Sequence, residues 1–405
     1  MKPLLLATSL LMSAPVAVAQ AFLPPAPSVQ ASIDAHPTRQ AAHEQLSAAQ
    51  SEARRQAAGE YEWRLEGGYS SRDISHEGRF DEFEIGASRP IRRPGKALLD
   101  KALGKATINS AASQSVLTRR ALKLELANLW MDWLAAEELA RISDEQVKTY
   151  ESALAAVGRQ QESGQSAEVD VELAASALAE AEGVARRRQG EADIADARLQ
   201  SRFPDLIKPE GLLTVSAPVS VSTSGNWQER IVAASPDLAV AEAEIRRLEA
   251  RSRRARANLR PDPEVGVRAF SERGGDELGM GVFVAIPLGG PARSAASDRD
   301  LSLARAMRLE TAALRRQVEA DASQAVIMAA SEYEAWRAAD KARANSQTAI
   351  ERVRRGFDLG AYDLPTRLIA EQRHGRVVMA EAEARLQARR ADINMRIKAE
   401  DLWPD

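Results

Sequence analysis

The stretch YEWRLEGGYS (61–70) decides how this chain is read. Its odd positions, Tyr61, Trp63, Leu65, Gly67 and Tyr69, are mostly aromatic or apolar, while its even positions, Glu62, Arg64, Glu66 and Gly68, are mostly charged. Side chains of a strand alternate between its faces, so this pattern suits a strand with water on one side and a large apolar surface on the other. Membrane lipid is one such surface. The first strand is therefore placed at about 61–70, with Tyr61, Trp63, Leu65 and Tyr69 facing lipid and Glu62, Arg64 and Glu66 facing water.

Outward from this stretch, FDEFEIGASRPI (80–91) reads as a second strand, and the pair recurs at about 263–271 and in LGMGVFVAIPL (278–288). The fourth strand has Met280, Val282, Val284 and Ile286 on one face and Gly279, Gly281, Phe283 and Ala285 on the other, so Phe283 interrupts an otherwise small-residue face. The surrounding helices recur too. AHPTRQAAHEQL (35–46) parallels ASPDLAVAEAEI (234–245), with Pro37 and Pro236 lying 199 residues apart, and SGQSAEVDVELA (163–174) parallels LGAYDLPTRLIA (359–370), with Gly164 and Gly360 lying 196 apart. A repeat of this kind defines the architecture before any motif does.

Each half reads helix, strand, strand, very long helix, glycine-centred turn, long helix. The run from Lys96 to Gln161 contains no proline and, as one helix, spans about 100 Å. The matching run covers about 295–355, and Leu, Val and Ala recur in both at three- and four-residue spacings. The chain is thus divided into a signal peptide (1–19), a first repeat (20–202) with its hairpin tip near Gly164, a Pro/Gly/Ser-rich linker (203–232) with a short strand and a short helix, and a second repeat (233–405) with its tip near Gly360.

Composition narrows the class. Only 4% of residues are aromatic while 28% are charged, which suits helix-on-helix packing rather than a thick globular core. The net charge of −3 exerts no pull toward nucleic acid, and basic runs such as RSRRARANLR (251–260) read as solvated helix faces. MKPLLLATSLLMSAPVAVAQ reads as an export signal cleaved after Ala19. The chain has no cysteine, so it forms no disulfide and offers no thiol for lipid attachment. Beyond the leader no apolar run is long enough for a membrane helix, which leaves a β-barrel as the spanning structure. Four strands are too few to close one, since the smallest membrane barrels use about eight; three copies would supply about twelve.

These features, the duplicated unit, the strand pairs, the ASPDLAVAEAEI helix start and the two hairpin turns, resemble the TolC-like family of outer-membrane efflux ducts over nearly the whole mature chain. RPIRRPGKALLDKA (89–102) is similar to the strand-to-helix corner of the branch serving heavy-metal exporters. The resemblance implies a mainly helical fold with membrane β structure: a homotrimeric 12-stranded barrel in the outer membrane of a Gram-negative bacterium, continued by an α-helical barrel through the periplasm. It implies a periplasmic adaptor and an inner-membrane pump of the RND type as partners, and passive conduction rather than catalysis. It also implies a periplasmic gate. In the family an Asp six residues past the first tip glycine helps hold the closed state, and here that position is Asp170. The second hairpin departs from the pattern, because six residues past Gly360 stands Thr366; Asp363 is the nearest carboxylate.

A periplasmic coiled-coil structural or adaptor protein is the alternative, but it gives no reason for strand pairs at matching points of both halves. An enzyme or metal site is not indicated. His36, His43, His76 and His374 are dispersed, with no cysteine and no evident third ligand, so neither a metal nor another cofactor is expected.

Overall fold

The computed structural model describes residues 22–209, 211, 213–220 and 226–404; the expected signal peptide lies outside them. The described elements are α1 (Ala26–Ala35), α2 (Pro37–Ala58), β1 (Arg64–Ile74), β2 (Gly78–Pro90), α3 (Lys96–Glu162), α4 (Glu168–Arg202), α5 (Trp227–Ala233), α6 (Pro236–Ala257), β3 (Glu264–Glu272), β4 (Glu277–Ala285), α7 (Pro291–Asp358) and α8 (Leu364–Lys398). Corresponding helices nearly match in length: α2 and α6 have 22 residues each, α3 and α7 have 67 and 68, and α4 and α8 have 35 each. The fold is mainly α with a single described sheet, as the sequence led us to expect.

Helix starts follow local chemistry. Pro236 opens α6 just after Ser235, whose Oγ accepts the Leu238 N–H at 3.4 Å, and Pro37 opens α2 at the equivalent place. Between the repeats, α5 is the expected short helix. The expected short strand is not found among the described residues of the linker, whose carbonyls are met by arginines instead: Arg385 Nη1 donates to Val215 O at 2.7 Å and Arg389 Nε donates to Ser216 O at 3.0 Å. Side-chain donors from α8 satisfy the extended backbone, so no strand partner is needed.

The chain forms two compact units, and each repeat contributes to both. One comprises residues up to His36, Arg119–Ala234 and Glu319 onward. Its core gathers Ile33, Leu126, Trp130, Leu199, Phe203 and Ile393, and the Trp130 indole donates to Phe22 O at 2.9 Å. The other comprises Pro37–Thr118 and Ser235–Val318 and contains the sheet. Small residues set its helix packing: a side chain at Gly104 would crowd Ala53 of α2.

Candidate functional site: a two-faced sheet and a pair of hairpin tips

The four strands form one antiparallel sheet in the order β1-β2-β3-β4, with β1 and β4 as its edges. Register assigns the faces. Leu65 pairs with Ala87, Ala87 with Val267 and Val267 with Val282; the next row on that face is Gly67, Ile85, Ala269 and Met280. These residues make an apolar face that no described residue covers: Leu65 is 79% exposed, Met280 88% and Val282 86%. Tyr69 and Phe83 continue the face, with ring centroids 5.3 Å apart.

Charge collects on the opposite face. Arg64 Nη1 lies 3.4 Å from Glu264 and 3.9 Å from Glu66, Arg268 lies 3.6 Å from Glu84, and Arg72 bridges Glu82 and Glu272. Phe283, the interruption noted in the sequence, pairs with Gly266, and Phe270 pairs with Gly279. A side chain at either glycine would collide with the facing ring. Each phenyl ring therefore lies across a glycine of the neighbouring strand, shielding backbone rather than projecting from the polar face.

The first strand differs from its expected limits. It begins at Arg64, not residue 61, and runs on to Ile74, because Ser71, Arg72, Asp73 and Ile74 keep pairing as far as Gly78. Tyr61 is consequently not a strand residue facing outward. Its hydroxyl donates to Asp262 Oδ2 at 2.8 Å, and the Arg92 guanidinium sits 4.4 Å from its ring. Trp63 also precedes the strand but is exposed, with the Arg89 guanidinium 5.8 Å from its ring. Glu62 likewise lies before the strand.

Tyr61 belongs to the joint where strands become helices. Asp262 Oδ1 accepts the Arg93 N–H at 2.9 Å and lies 3.0 Å from Lys96 Nζ, at the first residue of α3. Burial alone would raise the Asp262 pKa, but the bonds from Arg93, Lys96 and Tyr61 outweigh it and hold the carboxyl below its ordinary value. Arg92 donates to Ala57 O at 3.0 Å, and Arg254 pairs with Asp100. The RPIRRPGKALLDKA stretch is thus a bonded corner, with Asp262 as its main acceptor. Sequence reading missed Asp262; the available signal was its place, 201 residues after Tyr61, close to the repeat offset.

The hairpin tips belong to the other unit. Gly164 and Gly360 both have φ of 75°, the left-handed conformation that glycine adopts without strain. Each closes a helix end the same way: Gln165 N donates to Gln160 O at 2.8 Å and Gly164 N to Gln161 O at 2.9 Å, while Ala361 N donates to Gly356 O at 2.7 Å and Gly360 N to Phe357 O at 3.0 Å. Val157, Ala174, Phe357 and Leu364 form one buried cluster that brings the two tips together.

Asp170 is the third residue of α4 rather than its N-cap, which is Ala167. Its Oδ2 reaches back to accept the Ala167 N–H at 3.2 Å and the Ser166 hydroxyl at 2.8 Å. In the second hairpin the roles are exchanged. Asp363 is the N-cap of α8, and its Oδ1 accepts the Thr366 N–H at 3.0 Å. Bonds from the Thr366 hydroxyl and then its N–H lower the Asp363 pKa. Thr366 therefore stands where Asp170 stands, with the carboxylate moved three residues earlier. Neither aspartate forms an ion pair among the described residues of the chain.

Among the described residues no helix is long and apolar enough to cross a membrane, and no group of three or more His, Asp or Glu residues could hold a metal ion. No family model and no curated protein matches the sequence. Solved structures do match its fold. That of CusC, described for transmembrane channel formation, has a TM-score of 0.76 at 17% identity, covering 92% of this chain and 91% of that one. The outer-membrane channel OprN has a TM-score of 0.71 at 16% identity, covering 95% and 92%. The chain has the TolC-like channel fold. The Campylobacter jejuni outer-membrane channel CmeC shares that TolC-like fold at a TM-score of 0.72 and 11% identity, over 94% of this chain and 87% of that one.

Proposed function

We propose that this chain is the outer-membrane exit duct of a tripartite efflux system, extending from a Gram-negative outer membrane into the periplasm. Three copies pair the β1 edge of one with the β4 edge of the next and close a barrel of about twelve strands, leaving no free edge in lipid. The observation that carries this reading is the sheet with an uncovered apolar face backed by an ion-paired polar one. Within a water-soluble protein an apolar surface of this kind would be left against water; in a barrel it meets lipid and the polar face lines the lumen. Leu65 and Tyr69 face lipid, and Trp63 sits at the helix end of the sheet as an interfacial aromatic.

Conduction is passive. A periplasmic adaptor and an inner-membrane pump of the RND type supply cargo and energy, while the duct supplies an aqueous path and has no catalytic role. The tips around Gly164 and Gly360 form the periplasmic entrance, with Asp170, Asp363 and Thr366 beside it. The test uses protein purified in mild detergent: native mass measurement gives a threefold species, and planar bilayers show discrete conductance steps. A monomer that salt or urea strips from isolated membranes, and that never conducts, would establish the periplasmic coiled-coil alternative instead.

A further inference from the structure

The apolar face of the sheet ends in a cation. Register puts Arg89 of β2 level with Val265 and Val284, on the face that holds Leu65, Ala87, Val267 and Val282 one row nearer the middle of the sheet. Arg89 is exposed, its Nε donates to Tyr61 O at 2.7 Å, and its guanidinium lies 5.8 Å from the ring of Trp63, itself 65% exposed. Among the described residues Arg89 forms no ion pair, whereas Arg64, Arg72 and Arg268 of the opposite face all contact carboxylates. The Tyr61 carbonyl therefore fixes its Nε edge while both Nη groups are left without an acceptor. Depth follows from Ile85 in the middle row of the face. Four residues of β2 separate Ile85 from Arg89, about 13 Å along the strand, or about 10 Å of height at a tilt near 40°. Half of an apolar band about 25 Å tall is about 12 Å, so the Arg89 side chain reaches the level of lipid headgroups.

We infer that Arg89 and Trp63 seat the headgroup of one anionic phospholipid per chain in the periplasmic leaflet, with the guanidinium holding its phosphate. The inference rests on the barrel proposed above, which sets this face against lipid. A planar guanidinium offers a phosphate two parallel N–H donors, and such charge-assisted bonds strengthen where water is scarce. Trp63 beside it suits the glycerol and ester level, because an indole joins an apolar ring to one N–H donor. Ala87, in the row next to Arg89, is smaller than Leu65 and Val267 on either side of it, which leaves a shallow track for an acyl chain. Charge decides the class of lipid. Phosphatidylethanolamine carries an ammonium that neutralises its own phosphate, whereas phosphatidylglycerol brings a net negative charge to an arginine that has no carboxylate partner.

The test is native mass measurement of the full chain, purified in detergent and mixed with equal amounts of phosphatidylglycerol and phosphatidylethanolamine. The wild-type trimer should carry one phosphatidylglycerol for each chain, retained about fivefold over phosphatidylethanolamine. Arg89→Gln should abolish that preference, and Trp63→Ala should lower phosphatidylglycerol retention about twofold to threefold. Arg89→Lys keeps the charge and loses the planar fork, so it should fall between wild type and Arg89→Gln, and it decides the matter if the glutamine variant does not assemble. Excess glycerol phosphate should leave the lipid bound, since it lacks the acyl chains. A wild-type trimer with no preference, a preference that neither arginine substitution moves, or displacement by glycerol phosphate overturns the inference and leaves the duct reading standing. A protein that is only ever monomeric defeats the duct reading itself, and this inference with it.

Discussion

Asp170 and Asp363 show how one helix start can be held from either end. At the first tip the carboxylate sits at the third helical position and reaches back to the Ala167 N–H; at the second it sits at the cap and reaches forward to the Thr366 N–H. Both arrangements meet otherwise unpaired backbone donors. Capping therefore accounts for both residues within one chain, and gating by Asp170 adds to it only if its charge also acts on a neighbouring subunit. Asp170→Asn keeps an oxygen acceptor and removes the charge, whereas Asp170→Ala removes both. If the charge gates, Asp170→Asn raises single-channel conductance and leaves thermal stability near wild type. Asp170→Ala should cost about 1 kcal/mol of stability, read as a lowered unfolding temperature. Unchanged conductance in Asp170→Asn would confine the residue to its capping bonds.

At the scale of the element, the sheet is defined by what its two faces meet. Ile85 lies in the middle row of the apolar face, between Gly67 and Ala269, whereas Ser70 lies on the polar face opposite Glu82. Placing a cation against lipid costs about 2–4 kcal/mol near the membrane midplane and about 0–1 near its interfaces. Ile85→Arg should accordingly reduce the heat-stable assembled fraction on semi-native gels, while Ser70→Arg, beside a carboxylate, should assemble as wild type does. Equal assembly of the two variants would reject the assignment of faces. Trp63→Arg should be milder than Ile85→Arg, because Trp63 precedes the strand and sits at the end of the apolar band.

For the whole molecule, two histidines link stability to pH. His36, with its ring 5.4 Å from that of Phe203, and His374, with Nδ1 3.0 Å from Ser346 Oγ, belong to the same compact unit. Burial, followed by Arg202 for His36 and Arg354 for His374, lowers both pKa values from 6.5. The folded chain therefore binds fewer protons than the unfolded chain just below the ordinary histidine pKa. Stability is fully present above that value and declines as pH falls toward the lowered folded values. Carboxylates scarcely titrate between pH 7.5 and 5.5, so the unfolding temperature in detergent should fall over that window. Replacing both histidines by glutamine should flatten the decline; a decline of the same slope would trace it to other groups.

Local pattern alone determined much of this protein. Alternation in 61–70 and 278–288 marked strands, the proline-free run after Lys96 marked a long helix, and two glycines marked the hairpin tips, because each of these signals is carried by neighbouring residues and their backbone preferences. Duplication placed the same elements twice. Partners across the fold were not legible in that way. Only the tertiary structure took Tyr61 out of the strand and bonded it to Asp262, laid Phe283 across Gly266, and satisfied the 215–216 carbonyls with arginines from α8. It also placed the Asp170 carboxylate at the third helical position, reaching back to the Ala167 N–H. The physical reason is that periodicity reports which face a residue occupies, whereas the group that meets it there comes from register and packing between segments as many as 280 residues apart.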